Sequence, residues 1–170
     1  MRGKCYRFSK GMAYTRKKYI HGSPQNKISK FTMGDPAGSF DLRASLIVLD
    51  GGQIRHNALE AARIASNKVL FDKLGEKGYC LRIMVYPHMI LRENKMMAFA
   101  GADRLQEGMR KAFGKPIGSA ARVKPDQVII ISEVPSAALD LVKVSMRVGS
   151  SKIPLPCRVE IVKLEKAIAP

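Results

Sequence analysis

The sequence predicts a single α+β domain in which two main helices pack on a mixed or antiparallel sheet. Short apolar or alternating runs recur along the chain and predict strands. Two longer segments with a helical stripe lie between them, too few for a regular alternation of parallel strands and helices. With 170 residues, of which 46% are hydrophobic, the chain can bury a sizeable core within one domain.

Four segments have the pattern of strands. Residues 42–50 (LRASLIVLD) form an apolar run that stops at a pair of glycines, and residues 128–134 (VIIISEV) are mainly β-branched. Residues 157–164 alternate apolar with polar side chains, as a half-buried strand does. The fourth strand, residues 79–86, would present on one face the side chains of Tyr79, Leu81, Ile83 and Val85.

Two helices are predicted between these strands. Asn57, with Glu60 three positions later, predicts an N-terminal cap for the first helix, and Gly75 predicts its end. Ser136 predicts the cap of the second helix, whose apolar stripe ends before Gly149. The stripe of the first helix is made of Ala58, Ala61, Ala62, Ala65 and Val69, and that of the second is made of Leu139, Val142 and Met146.

Positive charge is concentrated in two parts of the chain. Residues 1–34 carry nine Lys or Arg and no acidic residue, and residues 101–124 carry six basic residues against two acidic ones. Together they supply +13 of the formal net charge of +16. Folding does not require such segregation, and neutralising phosphates releases condensed counterions. The charge distribution therefore indicates a polyanionic partner.

Residues 1–34 are predicted to form a basic RNA-binding arm. Glycines and a proline interrupt any helical period, and aromatic residues lie among the cations. The cations would reach phosphates, while the rings would stack on bases or attach the arm to the protein's own body. The RNA-binding residues predicted in the arm are Arg2, Lys4, Arg7, Lys10, Arg16, Lys17, Lys18, Lys27 and Lys30.

Residues 97–124 are predicted to form a long, basic, glycine-punctuated loop. A connection of this length is uncommon in a small domain and is usually functional. Its four glycines permit bends and close approach to another backbone. The loop is suited to following structured RNA, and the cations predicted to contact phosphates along it are Arg104, Arg110, Lys111, Lys115 and Arg122.

A nucleoside triphosphate site is not predicted in this loop, although Gly114 is followed by a lysine. A phosphate-binding loop needs four residues between its glycines, but five separate Gly108 from Gly114. Pro116 stands where a hydroxyl would hold magnesium, and no hydrophobic strand precedes the segment. The sequence therefore predicts no small-molecule substrate and no cofactor at this point of the chain.

Enzymatic and metal-binding classes are also disfavoured. The three histidines lack partners at metal-ligand spacing, the three cysteines are far apart, and no nucleophile motif is present. The chain has no apolar run of membrane-spanning length and no signal-like start, which predicts a cytoplasmic location. The function class that remains is a non-catalytic RNA-binding protein. It would be either a ribosomal component or a free-standing tRNA- or RNA-binding factor.

Three segments resemble one known family. They are residues 94–123 (NKMMAFAGADRLQEGMRKAFGKPIGSAARV), residues 1–31 (MRGKCYRFSKGMAYTRKKYIHGSPQNKISKF) and residues 58–68 (ALEAARIASNK). The chain is similar to the archaeal and eukaryotic branch of universal large-subunit ribosomal protein sixteen, the "ten-e" type. The resemblance extends over essentially all of residues 1–170, and the short form suits an archaeal member.

The resemblance implies a hammerhead-like α+β domain without catalytic activity. Its partners would be large-subunit ribosomal RNA near the peptidyl-transferase cavity, neighbouring ribosomal proteins and tRNA in the aminoacyl and peptidyl sites. It also implies incorporation late in subunit assembly. The loop directed at tRNA would be about residues 101–117, and the cations that the resemblance places on it are Arg104, Arg110, Lys111 and Lys115.

Overall fold

The computed structural model describes residues 3–8, 11, 15–94 and 113–164. Within these ranges eight strands form two antiparallel sheets and accompany two α-helices, so the predicted α+β class is confirmed. In chain order the elements are β1 (Thr32–Gly34), β2 (Leu42–Val48), β3 (Gly52–Arg55), α1 (His56–Leu74), β4 (Cys80–Ile83), β5 (Met89–Glu93), β6 (Lys115–Val123), β7 (Val128–Val134), α2 (Leu139–Ser150) and β8 (Cys157–Lys163).

The larger sheet has five strands in the order β1-β4-β7-β2-β8, and every neighbouring pair is antiparallel. All four strands predicted from the sequence belong to it, as β2, β4, β7 and β8. The face predicted for the segment that contains β4 is confirmed, because Tyr79, Leu81, Ile83 and Val85 are all buried. The last three residues of the predicted arm are not free of the body, since they form the edge strand β1.

The smaller sheet has three strands in the order β3-β6-β5 and was not predicted. Its central strand β6 shows that the predicted loop of residues 97–124 was wrong from residue 115 onward. Hydrogen bonding to β3 on one side and to β5 on the other makes this glycine- and alanine-rich segment a strand despite its loop-like composition. Residues 97–112 of the predicted loop lie outside the described residues.

Helix α1 begins directly after β3, and its predicted cap was wrong. Arg55 holds the N-cap position with extended backbone angles and makes no side-chain capping bond. Glu60 instead forms a 2.6 Å ion pair with Arg63. The predicted end at Gly75 is confirmed, because its N–H donates to the Phe71 carbonyl at 3.0 Å. The buried face also differs from the alanine stripe and consists of His56, Leu59, Ala62, Ser66 and Leu70.

Helix α2 also starts differently from its prediction. A short 3₁₀ turn over Ser136–Ala138 precedes it, and Ser136 makes no capping bond. The predicted Val142 and Met146 are buried, whereas Leu139 is exposed because it stands at the helix start. Gly149 does not follow the helix but lies inside it.

The two helices approach each other closely at small residues. The Ser66 hydroxyl donates to the Ser145 carbonyl at 3.2 Å, and the Ser145 hydroxyl donates to the Ser66 carbonyl at 3.0 Å. A Cβ atom on Gly149 would stand 2.3 Å from the Ser66 Oγ atom. Glycine at position 149 therefore leaves room for the Ser66 hydroxyl where the helices cross, and it does not mark the end of α2.

A main core lies between the larger sheet, both helices and the inner face of the smaller sheet. The larger sheet, the helices and the smaller sheet all contribute side chains that are almost fully removed from water. Burial of apolar surface is the dominant favourable term in folding. Representative members are Leu46, Leu81 and Ile130 from the larger sheet, Leu59 and Leu70 from α1, Val142 and Met146 from α2, and Ile54 and Ala121 from the smaller sheet.

Replacing Gly149 with alanine tests the helix crossing. In the wild type we expect Gly149→Ala to lower the free energy of unfolding by about 1–3 kcal/mol, because the new methyl group displaces the Ser66 hydroxyl. In a Ser66→Ala background the same change should be neutral or slightly stabilising, since alanine favours a helix over glycine by about 1 kcal/mol. Urea unfolding of the four proteins measures this, and an equal effect in both backgrounds would contradict it.

Candidate nucleic-acid interface

The predicted RNA-binding cations fall into two groups. Arg2 and Lys10 of the arm, with Arg104, Arg110 and Lys111 of the loop, lie outside the described residues, so their roles stay predictions. The second group can be located on the fold. It consists of Lys4, Arg7, Arg16, Lys17, Lys18, Lys27, Lys30, Lys115 and Arg122.

The first described segment of the arm lies on the face of the smaller sheet opposite the main core. Tyr6 is buried there and packs with Leu91 and Ala120 in a small second core. The Arg7 carbonyl accepts a hydrogen bond from the Gln53 N–H at 2.7 Å. An aromatic ring and a backbone carbonyl thus attach this segment without using its positive charges.

The next segment extends the smaller sheet at the free edge of β5. The Ile90 N–H donates to the Thr15 carbonyl at 2.6 Å, and the Lys17 N–H donates to the His88 carbonyl at 2.8 Å. This pairing holds the backbone and leaves the side chains free to face solvent. The exposed cations that it positions are Arg16, Lys17 and Lys18.

A buried polar junction joins the arm to the start of α1. The His56 Nδ1 atom accepts the Lys27 N–H at 3.3 Å and lies 3.1 Å from the Ser119 Oγ atom. The Ser119 hydroxyl donates to the side-chain carbonyl of Asn26, whose amide donates to the Tyr86 hydroxyl at 3.1 Å. These contacts hold the middle of the arm where the helix and the smaller sheet meet.

The pKa of His56 lies below its ordinary value of 6.5. Burial is the main cause, and the positive charges of Lys27 and Arg55 act in the same direction. Only the neutral ring offers an acceptor to the Lys27 N–H. Gly118 packs over the same ring, and a Cβ there would stand 3.2 Å from the His56 Nε2 atom. The junction therefore depends on a neutral imidazole.

Aromatic rings form a short ladder beside the cations of the arm. The Phe31 and Tyr86 rings stack with centroids 5.4 Å apart, and the Tyr86 and His88 rings are tilted with centroids 4.7 Å apart. Tyr19 is 64% exposed, with the Lys18 ammonium 5.7 Å from its centroid. Exposed rings next to cations are suited to stacking on unpaired bases.

Arg92 holds the stem of the basic loop, defined here as the end of β5 and residues 113–114. Its Nε atom donates to the Phe113 carbonyl at 2.8 Å, and its Nη2 atom donates to the Gly114 carbonyl at 2.5 Å. The guanidinium carbon also lies 3.5 Å from the centre of the Phe113 ring. Gly114 has φ 69°, and a Cβ there would clash with the backbone of Glu93 at 2.5 Å.

Lys115 and Arg122 lie on β6 and not on a loop, which corrects their predicted placement. Lys115 is exposed at the start of the strand, next to the stem that Arg92 holds. Arg122 donates to the carbonyl of Gly11, so its guanidinium attaches the arm to the smaller sheet. Lys115 is therefore open to solvent, whereas the guanidinium of Arg122 is used to hold the arm.

Salt bridges are segregated from the predicted interface. Within the described ranges, no cation predicted to bind RNA forms a salt bridge with an acidic side chain. The described salt bridges belong to the larger sheet, the turn before β7 and the helices: Arg43–Glu133, Arg82–Glu133, Arg63–Glu60, Lys143–Asp140, Arg158–Asp126 and Arg158–Glu160. Exposed positive charges without acidic partners favour association with a polyanion.

Comparison with known proteins identifies the family. The model of the family described as ribosomal protein L16p/L10e matches residues 9–160, most of the chain. The chain belongs to this family. It is 56% identical over 156 residues to large ribosomal subunit protein uL16 of Hyperthermus butylicus, covering 92% of the chain and 87% of the relative.

Two further relatives carry the same name. The uL16 protein of Staphylothermus marinus is 52% identical over 167 residues, covering 98% of the chain and 96% of the relative. That of Saccharolobus islandicus is 52% identical over 164 residues, covering 95% and 92%. Membership in the L16p/L10e family confirms the predicted ribosomal identity, the archaeal likeness and the location on the ribosome. A family of structural ribosomal components also makes this protein a non-enzyme.

The parts of the L16p/L10e chain that the structure describes contain neither a metal-binding cluster nor a membrane-spanning helix. Those residues include no group of three or more His, Cys, Asp or Glu that could hold a metal ion. No helix among them is long and apolar enough to cross a membrane. The cysteines at positions 5, 80 and 157 are free thiols, and burial raises the pKa of Cys157 to about 11.

Two residues that organise the L16p/L10e interface were missed from the sequence. Arg92 binds backbone carbonyls, which carry no sequence signature. His56 was expected only as a core or surface histidine, because its partners Lys27 and Ser119 are 29 and 63 positions away.

The His56 junction predicts a specific dependence of stability on pH. Because the folded pKa lies below the unfolded one, the unfolded chain binds a proton more readily. The contribution is complete above about pH 6.5 and is lost as pH falls from there through the folded pKa. Urea unfolding from about pH 8 to about pH 5 should show this loss in the wild type.

The matched variants are His56→Gln and His21→Gln. His56→Gln should be less stable at neutral pH and should lack this part of the acid-induced loss. His21 is exposed, so its replacement should leave the wild-type profile unchanged. Parallel profiles for the wild type and His56→Gln would show that the ring does not titrate as described.

The loop stem gives a second prediction. Arg92→Lys keeps the charge but cannot bridge two carbonyls or lie flat on the ring, so we expect a loss of about 1–2 kcal/mol in the free energy of unfolding. Amides of β5 and β6 near the stem should also exchange faster with deuterium. Arg43→Lys, at an exposed ion pair of the larger sheet, should cost less than about 1 kcal/mol. Equal losses of stability in Arg92→Lys and Arg43→Lys would contradict the role of Arg92 in holding the stem.

Proposed function

We propose that this protein is a structural constituent of the large ribosomal subunit that binds ribosomal RNA near the peptidyl-transferase cavity. Its basic loop approaches tRNA in the aminoacyl and peptidyl sites, and the protein supports translation and late subunit assembly. The observation that carries the proposal is the separation of roles within the arm. Backbone groups and buried rings attach it, while its described cations are exposed or lack acidic partners.

Attachment of the arm favours RNA binding for a physical reason. A free segment loses conformational entropy when it binds, and this loss opposes association. Residues 15–17 are already paired with the edge of β5, and Asn26 and Lys27 are held at the His56 junction. The cations beside these points therefore reach phosphates from a backbone that is largely ordered beforehand. Phosphate contacts supply affinity, and the aromatic ladder supplies stacking surfaces.

The loop is proposed to approach tRNA from a fixed stem. Arg92 holds the carbonyls of Phe113 and Gly114, and Lys115 stands exposed beside them. Arg104, Arg110 and Lys111 would add to this positive charge. Because tRNA and ribosomal RNA both present phosphates, the loop and the arm use the same chemistry on two RNA partners.

Sedimentation of the tagged protein tests the ribosomal assignment. In a sucrose gradient the protein should travel with the large subunit at about one copy per subunit and remain there at moderate salt. A free-standing tRNA- or RNA-binding factor would sediment apart from the subunits, at a stoichiometry well below one. The second pattern would replace the proposal with that alternative.

The double variant Arg110→Ala/Lys111→Ala tests the loop. We expect it to leave the stability of the isolated protein unchanged within about 0.5 kcal/mol, as surface substitutions usually do. Mature large subunits or tRNA binding to them should nevertheless decrease, because two phosphate contacts are lost. Lys73→Ala/Lys77→Ala removes the same charge near the end of α1 and serves as the control. Unfolding of the loop variant, or equal effects of both variants, would contradict the proposed role.

A further inference from the structure

A basic cleft of about 290 Å³ lies outside the predicted loop, where four parts of the fold meet. The parts are the first turn of the arm, β3, the start of α1 and the segment that follows α2. Four cations line the cleft: Lys4 and Arg7 from the arm, Arg55 from the end of β3, and Lys152 from the segment after α2. No acidic residue is among its lining residues in the described part of the chain.

Contacts around the cleft position the guanidinium of Arg55 and the backbone of Arg7. The Arg55 Nη2 atom stands 3.0 Å from the position that a Cβ on Gly3 would occupy, so this side chain packs against the backbone of the arm. The Arg7 backbone is held by the Gln53 N–H at 2.7 Å. The Arg7 Nε atom is buried and has no hydrogen-bond acceptor among the described residues. A buried donor of this kind is costly without an acceptor.

The start of α1 adds to the positive potential of the cleft. Its first turn contains no acidic residue, and Arg55 at the N-cap makes no side-chain capping bond. Ala58, in that first turn, is one of the lining residues. The N–H groups of a first helical turn lack intrahelical acceptors, and the helix dipole makes this end positive. This feature supports the four cations but would not define a site alone.

We propose that the cleft binds one phosphate group of an RNA backbone. Like charges gathered from three segments repel one another, and an anion with several acceptor oxygens would remove that repulsion. The lining is too cationic for an apolar ligand. That the ligand is a phosphate group is inferred from the cations of the cleft. That this phosphate belongs to RNA rests on the proposed function.

The proposal makes Lys152 an RNA-contacting residue. It is exposed, follows α2, and lies more than 100 positions from the arm whose cations it joins. Lys152→Gln removes one charge of the cleft without touching the core. Lys143→Gln is the matched control, because Lys143 is exposed on the preceding helix and does not line the cleft.

Binding of the full chain to large-subunit ribosomal RNA should be measured over a series of salt concentrations. For Lys152→Gln we expect weaker binding and a salt dependence that is shallower by about 0.9 in the slope of log K against log salt, the value for one phosphate contact. Lys143→Gln should keep the wild-type slope. Unchanged slopes for both variants, or equal changes in both, would overturn the cleft proposal while leaving RNA binding by the protein intact.

A second measurement distinguishes the sources of phosphate. The thermal unfolding midpoint of each protein is followed as inorganic phosphate replaces chloride at constant ionic strength. Stabilisation of the wild type that is reduced in Lys152→Gln, but not in Lys143→Gln, supports a phosphate site in the cleft. If the wild type fails to bind ribosomal RNA, the proposed function fails. In that case, stabilisation by phosphate that depends on Lys152 would show that the cleft binds a phosphate from another source. If no such stabilisation were seen, the cleft proposal would be overturned as well.

Discussion

The neutral ring of His56 is the contact on which the arrangement of arm, helix and smaller sheet depends. It stands at the first position of α1, directly after β3, and its Nδ1 atom lies near both the arm and β6. Ser119 and Gly118 on β6 fit around the ring because the first has a small side chain and the second has none. A charged imidazole would lose its acceptor and would face Lys27 and Arg55, so burial and the local field both favour the neutral form.

A strongly basic arm and a basic body repel each other. In this structure the arm is attached through uncharged groups of its own, so its cations are not needed for the attachment. Tyr6 enters a small core, residues 15–17 pair through their backbone, and the carbonyl of Gly11 accepts from Arg122. The ion pairs of the described residues lie elsewhere, on the larger sheet and the helices. The arm therefore retains its positive charge for an external polyanion, and RNA phosphates meet this requirement.

The chemistry of the candidate site could be predicted from composition, whereas its organisation could not. Segregated Lys and Arg residues indicated a polyanionic partner because charge is a property of residue type alone. Arg92 and Lys152 carried no such sign, since the first binds backbone carbonyls and the second joins the cleft only through folding. Arg122 was predicted to contact phosphate, but its described partner is the arm's own backbone at Gly11.

The sequence by itself determined the α+β class, four strands of the larger sheet, the end of α1 and the segregation of charge. These features depend on strong local signals: β-branched runs, a helix-ending glycine at position 75 and acid-free segments. Tertiary structure alone decided that residues 115–123 form β6, which face of α1 is buried and why Gly149 is glycine. Each of these depends on a partner far away in the chain. Contacts with neighbouring strands, a crossing helix and a buried histidine stabilise these features by more than the secondary-structure propensity of each segment. Such contacts cannot be recognised in any short stretch of sequence.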